Sequence, residues 1–186
     1  MIVSQTMEAL AFIPVPELEM TQQFELLSIR NQQIIRESSY SSHVIEDNEH
    51  LRWIKRLQTD PTVLFYAVTH KNEIVGGVGL RNIDAKTKSA EWSFYVSQTA
   101  IGQGIGLALG VCALDIFFET LNLKHVIGEA LIANAPSMAY HAKLGFLKIA
   151  QQQHLVLPGN HMADIAVFSV SREEWCVVRK KLCGES

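Results

Sequence analysis

The run Ile101-Gly102-Gln103-Gly104-Ile105-Gly106-Leu107 places three glycines at alternate positions between a β-rich segment and a long apolar one. Glycine lets backbone N–H groups approach a ligand closely, and the N-terminus of a helix adds partial positive charge. The combination suits a pyrophosphate. Two familiar phosphate loops are excluded by the letters. A Gly-x-Gly-x-x-Gly fingerprint requires glycine where Leu107 or Leu109 stands, and the Gly-Lys-Ser/Thr triplet of a P-loop does not occur. What remains is a shorter glycine loop, or a plain strand-to-helix turn. The three cysteines, Cys112, Cys176 and Cys183, have no Cys-x-x-Cys spacing, so neither a disulfide framework nor a zinc site is expected. Cys176 and Cys183 read as small buried apolar residues.

The loop must be held by its neighbours. Leu64–Thr69 and Ile74–Leu80 are β-rich and flank His70-Lys71-Asn72-Glu73, a hairpin; Ala90–Val96 alternates and adds a third strand. After the glycines, Leu107, Val111, Leu114, Phe118 and Leu121 form one helical stripe, widened by Leu109, Ala113, Ile116 and Phe117. Val126–Ile132 reads as a strand and Ala135–Leu144 as a helix stopped by Gly145. Phe146–Leu157 and Ala163–Val170 read as a hairpin about Pro158-Gly159-Asn160. Ser171 to Glu174 has capping-box spacing for a last helix. Upstream, Leu10–Val15 predicts an edge strand, Thr21–Arg30 a helix with Thr21 as its cap, and Asp47–Leu57 a second helix stopped at Asp60-Pro61. The order implies an α+β domain around one mixed sheet flanked by helices, with residues 1–186 as a single unit.

Composition agrees with a packed domain: 186 residues, 48% hydrophobic and 19% charged. A net charge of −3 removes non-specific nucleic-acid binding as a default, so any anion must be held locally. The stretch Met1–Leu18 lacks a basic leader region, and no apolar run is long enough to span a membrane. A cytoplasmic location is expected.

The glycine loop, followed by Asn134 at a strand end and a helix closing on Lys143-Leu-Gly-Phe146, resembles the GCN5-related N-acetyltransferase (GNAT) superfamily. Its acyl-CoA loop reads Arg/Gln-x-x-Gly-x-Gly/Ala; Gly104 and Gly106 match, and Ile101 departs at the first position. The resemblance implies a GNAT-like fold with acetyl-CoA as acyl donor, no metal, and direct attack of an amine on the thioester. It implies that backbone groups of Phe94, Tyr95 and Val96 stabilise the developing oxyanion and pair with pantetheine. Gly102, Gln103, Gly104, Ile105, Gly106 and Leu107 would cradle the pyrophosphate, and Asn134 and Ser137 would contact pantetheine or the departing sulfur. The family's thiolate-protonating Tyr falls on His141, with Tyr140 just before it, so either could serve. Glu129 is the candidate base; Glu91 is a second candidate, or orients the amine.

The segment from Arg30 through Arg36, Tyr40 and Glu49-His50-Leu51 to Trp53, with Ser171-Arg-Glu-Glu-Trp175 at the far end, resembles the N-acetyltransferases of the pseudaminic acid pathway. That family acetylates the C4 amine of a UDP-linked 4-amino-4,6-dideoxy-N-acetyl-altrosamine, a precursor used in flagellin glycosylation. The resemblance implies that Arg30, His50 and Arg81 supply charge or hydrogen bonds and that Tyr40 and Tyr95 stack on rings; Trp53 reads as a core residue. The last helix could support a homodimer. An N-terminal amine acetyltransferase of the ribosomal-protein type and a non-catalytic acyl-CoA-binding module are the alternatives.

Overall fold

The computed structural model describes residues 2–157 and 161–184. The elements in chain order are α1 (Ile2–Glu8), β1 (Leu10–Pro14), α2 (Met20–Arg30), α3 (Gln33–Glu37), α4 (Asp47–Thr59), β2 (Leu64–His70), β3 (Glu73–Asp84) and β4 (Ser89–Val96). They continue with α5 (Ile105–Asp115), β5 (His125–Leu131), α6 (Ala135–Lys143), β6 (Leu147–Leu157), β7 (His161–Ser171) and α7 (Arg172–Cys183). The strands form one seven-stranded sheet in the order β1-β2-β3-β4-β5-β7-β6.

The first four strands are antiparallel neighbours, and β1 is the edge strand that its prolines predict. The β2–β3 turn puts Lys71 and Asn72 at φ 54° and 68°, the left-handed pair that a two-residue hairpin turn requires. The one parallel pairing, β4 with β5, needs a crossover, and α5 supplies it. This pairing is short: it runs from Ser89↔His125 to Glu91↔Ile127, after which the strands part. β4 continues to Val96 along β3 and β5 continues to Leu131 along β7, so the sheet splays open at its middle.

Alternation along the strands sends side chains to two cores. Val78, Leu80, Trp92, Val126 and Ala130 pack with α5 on one face; Phe65, Ala67 and Ile74 pack with Leu26, Ile29 and Ile54 of α2 and α4 on the other. The α1 helix also packs against α5, and its Met7 joins the same core, which covers part of the apolar surface of α5 outside the stripe facing the sheet. The α7 helix is tied to α5 by Asp115, which accepts from Trp175 Nε1 at 2.8 Å and from Arg179 Nε at 2.9 Å.

Several boundaries differ from the sequence reading. Glu19 rather than Thr21 caps α2, its N–H donating to Gln22 Oε1 at 3.2 Å. The long apolar helix ends at Asp115 and continues as a π-helical turn, Ile116–Thr120, whose end is held by Arg172 bonding Phe118 O, Leu123 O and Asn122 Oδ1. The short α1 and α3 carry too few turns for a periodic signal. Cys176 is exposed, because its position on α7 faces away from the sheet that buries its neighbour Trp175. The Pro158-Gly159-Asn160 turn lies outside the described residues.

Candidate active site

The glycine loop sits at the open side of the splay. Gly102 and Gly104 adopt left-handed φ of 83° and 77°, and Gly104 is the N-cap of α5. The first helical bond shown is Ala108 N–H to Gly104 O at 3.2 Å, so the N–H groups of Ile105, Gly106 and Leu107 precede the helical ladder and point out of its N-terminus. Ile105 is buried and pins the loop to the core. Gln103 is held down by its own side chain, which donates to Thr99 O at 2.7 Å.

Along β4, Ser97 N–H donates to Val75 O of β3 at 2.7 Å. By strand alternation the N–H groups of Phe94 and Val96 therefore face the β5 side, where β4 has lost its partner beyond Glu91. Tyr95 turns its side chain to the opposite face, packing on Phe65 with ring centroids 5.8 Å apart. Asn134 caps α6, its Oδ1 accepting from Ser137 N–H at 3.0 Å. Together these residues line an edge of unpaired backbone and a helix N-terminus, an arrangement suited to an extended amide-bearing chain ending in a diphosphate.

The two candidates for protonating the sulfur have different surroundings. Tyr140 lies against Phe94, centroids 4.6 Å apart, and its hydroxyl donates to Gly106 O at 2.7 Å. Burial raises its pKa, so the hydroxyl keeps its proton. His141 is 1% exposed, and both its nitrogens are engaged. Nδ1 lies 2.8 Å from the Ser137 carbonyl, which only an N–H can satisfy, and Nε2 accepts from Trp92 Nε1–H at 3.1 Å. The ring stacks on Phe168 at 4.8 Å, and burial lowers its pKa, favouring the neutral form. The expectation of His141 as an acid is corrected on these grounds: it is a core residue whose bond from Trp92 requires an unprotonated Nε2.

On the α2–α4 face, four of the candidate residues meet. Glu129 Oε2 accepts from Tyr40 Oη at 3.0 Å and from Arg81 Nη2 at 2.9 Å. Arg81 Nε donates to Glu91 Oε2 at 2.7 Å, and Glu91 Oε1 accepts from Asn82 Nδ2 at 2.9 Å. Burial, then the Glu129 carboxylate, raises the Tyr40 pKa and keeps its hydroxyl a donor. Glu91 is the last β4 residue paired with β5, and Glu129 lies two residues past Ile127, so the cluster stands where the splay begins. Tyr40 reaches it from a loop clamped at its far end: Asn31 and Ile45 exchange two hydrogen bonds of 2.9 Å, and Arg36 Nη1 donates to Ser42 O at 2.5 Å.

Arg30, on the same face near Tyr95, has its pKa lowered by burial, and its Nη1 is buried without a hydrogen-bond partner among the described residues. An unpaired buried guanidinium nitrogen is unfavourable until an acceptor or anion reaches it. His50 is corrected: it is 5% exposed, Nε2 donates to Gln23 O at 2.9 Å, and its ring lies between Phe24 and Trp53. It joins α4 to α2, and burial lowers its pKa. Trp53 packs edge-on against Phe65 at 5.2 Å, as a core residue should. Asn82 was missed by sequence reasoning; its left-handed φ of 53° at the strand end is a signal visible only in the backbone. Among the described residues no group of three or more His, Cys, Asp or Glu is placed to hold a metal ion. No helix there is long and apolar enough to cross a membrane.

Comparison with known proteins agrees with this geometry. The chain is 27% identical over 128 residues to the SPbeta prophage-derived uncharacterized N-acetyltransferase YokL of Bacillus subtilis, covering 69% of this chain and 72% of that protein. Among solved structures, spermidine N-acetyltransferase from Vibrio cholerae in complex with CoA and spermine superposes with a TM-score of 0.81 at 18% identity, covering 91% of this chain and 99% of that one. Campylobacter jejuni N-acetyltransferase PseH in complex with acetyl coenzyme A superposes with a TM-score of 0.68 at 18% identity, covering 88% and 99%. The model of the acetyltransferase (GNAT) domain family matches residues 18–147, a span that contains the splayed strands, the glycine loop and α6. The chain therefore belongs to the GNAT acetyltransferase family, and it is an N-acetyltransferase that uses acetyl-CoA.

Proposed function

We propose that the chain transfers the acetyl group of acetyl-CoA to the C4 amine of UDP-4-amino-4,6-dideoxy-N-acetyl-β-L-altrosamine, within pseudaminic acid biosynthesis for flagellin glycosylation. The observation that carries the acceptor class is Arg30 Nη1, buried and without a hydrogen-bond partner among the described residues, on the face that bears Glu129. A nucleotide-sugar brings a diphosphate to such a group, whereas a peptide α-amine does not. Tyr95, beside Arg30, offers an aromatic surface for a ring.

In this reading the two ligands enter from opposite faces of the splay. The pyrophosphate rests on the loop from Gly102 to Leu107, and the pantetheine arm runs along Phe94–Val96 with Asn134 and Ser137 on its other side. Glu129 takes the proton of the acceptor ammonium through Oε1, since its Oε2 already receives Tyr40 and Arg81. The free amine attacks the thioester carbonyl, and the Phe94 and Val96 N–H groups stabilise the oxyanion. As the intermediate collapses, the departing CoA sulfur takes the Tyr140 hydroxyl proton away from Gly106 O, and the nitrogen gives up its remaining ammonium proton, which restores Tyr140; Glu129 returns its own proton to solvent after release. The protein acts in the cytoplasm and forms a homodimer through the exposed edge strand β6 and α7, where Leu147, Ile149 and Val177 are uncovered.

The deciding experiment is CoA release with three acceptors: the UDP-4-amino sugar, spermidine, and a peptide with a free α-amine. Preferred turnover of the UDP-sugar, with Arg30→Ala raising its KM, supports the reading. Preferred turnover of the peptide would replace it with the ribosomal-protein type, and no turnover of any amine would leave an acyl-CoA-binding module.

A further inference from the structure

Arg81 is bonded to two carboxylates at once, through Nε to Glu91 and through Nη2 to Glu129, and its side chain remains 48% exposed at the mouth of the splay. Two neighbouring carboxylates beside an amine-accepting cleft would suit an acceptor with two ammonium groups, one to react and one to be held. Arg81 already occupies that second place from within the chain. Donors fill most of what is left. Asn82 holds Glu91 Oε1 at 2.9 Å and Tyr40 holds Glu129 Oε2 at 3.0 Å, so Glu91 has no uncommitted oxygen and Glu129 keeps only Oε1.

We infer that Arg81 is a specificity-determining residue, a built-in cation that pairs with Glu91 and Glu129 and turns away di- and polyamines. The inference rests on the reading that acetyl transfer occurs at this cluster. Its physical basis is charge balance. Two carboxylates and one guanidinium leave one negative charge, matched by a single ammonium; a second ammonium would stand against the guanidinium in a partly desolvated cleft. The site thereby accepts a monoamine such as an amino sugar and discriminates through repulsion as well as fit.

The test is spermidine binding by calorimetry to the full chain without acetyl-CoA, for the wild type, Arg81→Gln and Arg81→Lys. Removing the cation in R81Q should tighten spermidine binding about tenfold, the worth of one new charge-assisted hydrogen bond. R81K, which keeps the cation, should resemble the wild type and controls for a general loosening of the cleft. Equal spermidine affinity in wild type and R81Q, or an equal gain in R81K, overturns the inference. Because binding is read without turnover, failure of every amine to be acetylated overturns the transfer reading separately.

Discussion

The two faces of the sheet present different kinds of group at the splay, and in the proposed reading they hold their ligands by different means. On the α5–α6 face, the groups offered to a ligand belong to the backbone: the N–H groups of Phe94 and Val96 and those at the start of α5. Side chains there, such as Trp92, His141 and Phe168, form a buried aromatic core. On the α2–α4 face the offered groups are side chains, Tyr40, Arg81, Glu91 and Glu129, drawn from three strands and a loop. Backbone recognition tolerates much sequence change, since only glycine positions and strand geometry are fixed. Side-chain recognition can be altered by one substitution. Under the proposed reading, the acceptor site is therefore the part of this chain that a few substitutions could retune, while the acetyl-CoA site depends mainly on glycine positions and strand geometry.

The sharpest way to break this comparison is Glu129→Gln. It removes the proposed base on the acceptor face and should lower kcat about a hundredfold, with little change in KM for acetyl-CoA and a flattened pH–rate profile. An unchanged profile would move the base elsewhere. The donor face should answer to Gly104→Ala. Nothing lies within 4 Å of an added Cβ, so the effect is confined to the left-handed φ of 77°. Strain of about 1–2 kcal/mol should raise KM for acetyl-CoA severalfold while leaving kcat near normal.

Stability tests sharpen the account of the buried aromatic core. A Cβ at Gly128 would stand 2.6 Å from His141 Cδ2 and 2.8 Å from Trp92 Nε1. Gly128→Ala should destabilise the fold by about 1–3 kcal/mol, read as a lowered denaturation midpoint. His141 adds a pH dependence. Its folded pKa is depressed below the usual 6.5, so the unfolded chain binds the proton more readily. Stability from this group is complete above that value and declines as pH falls below it. His141→Gln, which can still accept from Trp92, should show a shallower loss of Tm on acidification; an identical slope would shift the effect to His50, depressed in the same direction. The smallest effect is expected from Tyr40→Phe, which removes one hydrogen bond to Glu129, worth about 1 kcal/mol, and should change kcat/KM by no more than severalfold.

How legible each face was in the sequence follows from the same contrast. The donor side is local: the glycines, the following helix and Lys143-Leu-Gly-Phe146 are contiguous words, and the strands around them alternate clearly. The cluster of Tyr40, Arg81, Glu91 and Glu129 joins residues 89 and 48 positions apart. Residue types suggested Glu129, Glu91, Arg81 and Tyr40 singly, but no spacing rule reveals that they bond one another. Burial was the other hidden quantity. His50 and His141 have the right chemistry for a site and turn out to be enclosed, because each lies on the inward stripe of its helix. A histidine's letter carries both possibilities, and only the packing around it selects one.

The parallel seam between β4 and β5 consists of three residue pairs, Ser89↔His125 to Glu91↔Ile127. Antiparallel ladders on either side are far longer, so the molecule is two stiff half-sheets stitched at one end. An amide-bearing arm laid along Phe94–Val96 would act as a surrogate strand, extending the ladder where the protein's own strands stop. Acetyl-CoA would then be a structural brace as well as a reactant, and its departure as CoA after each turnover would return the molecule to its more loosely hinged form.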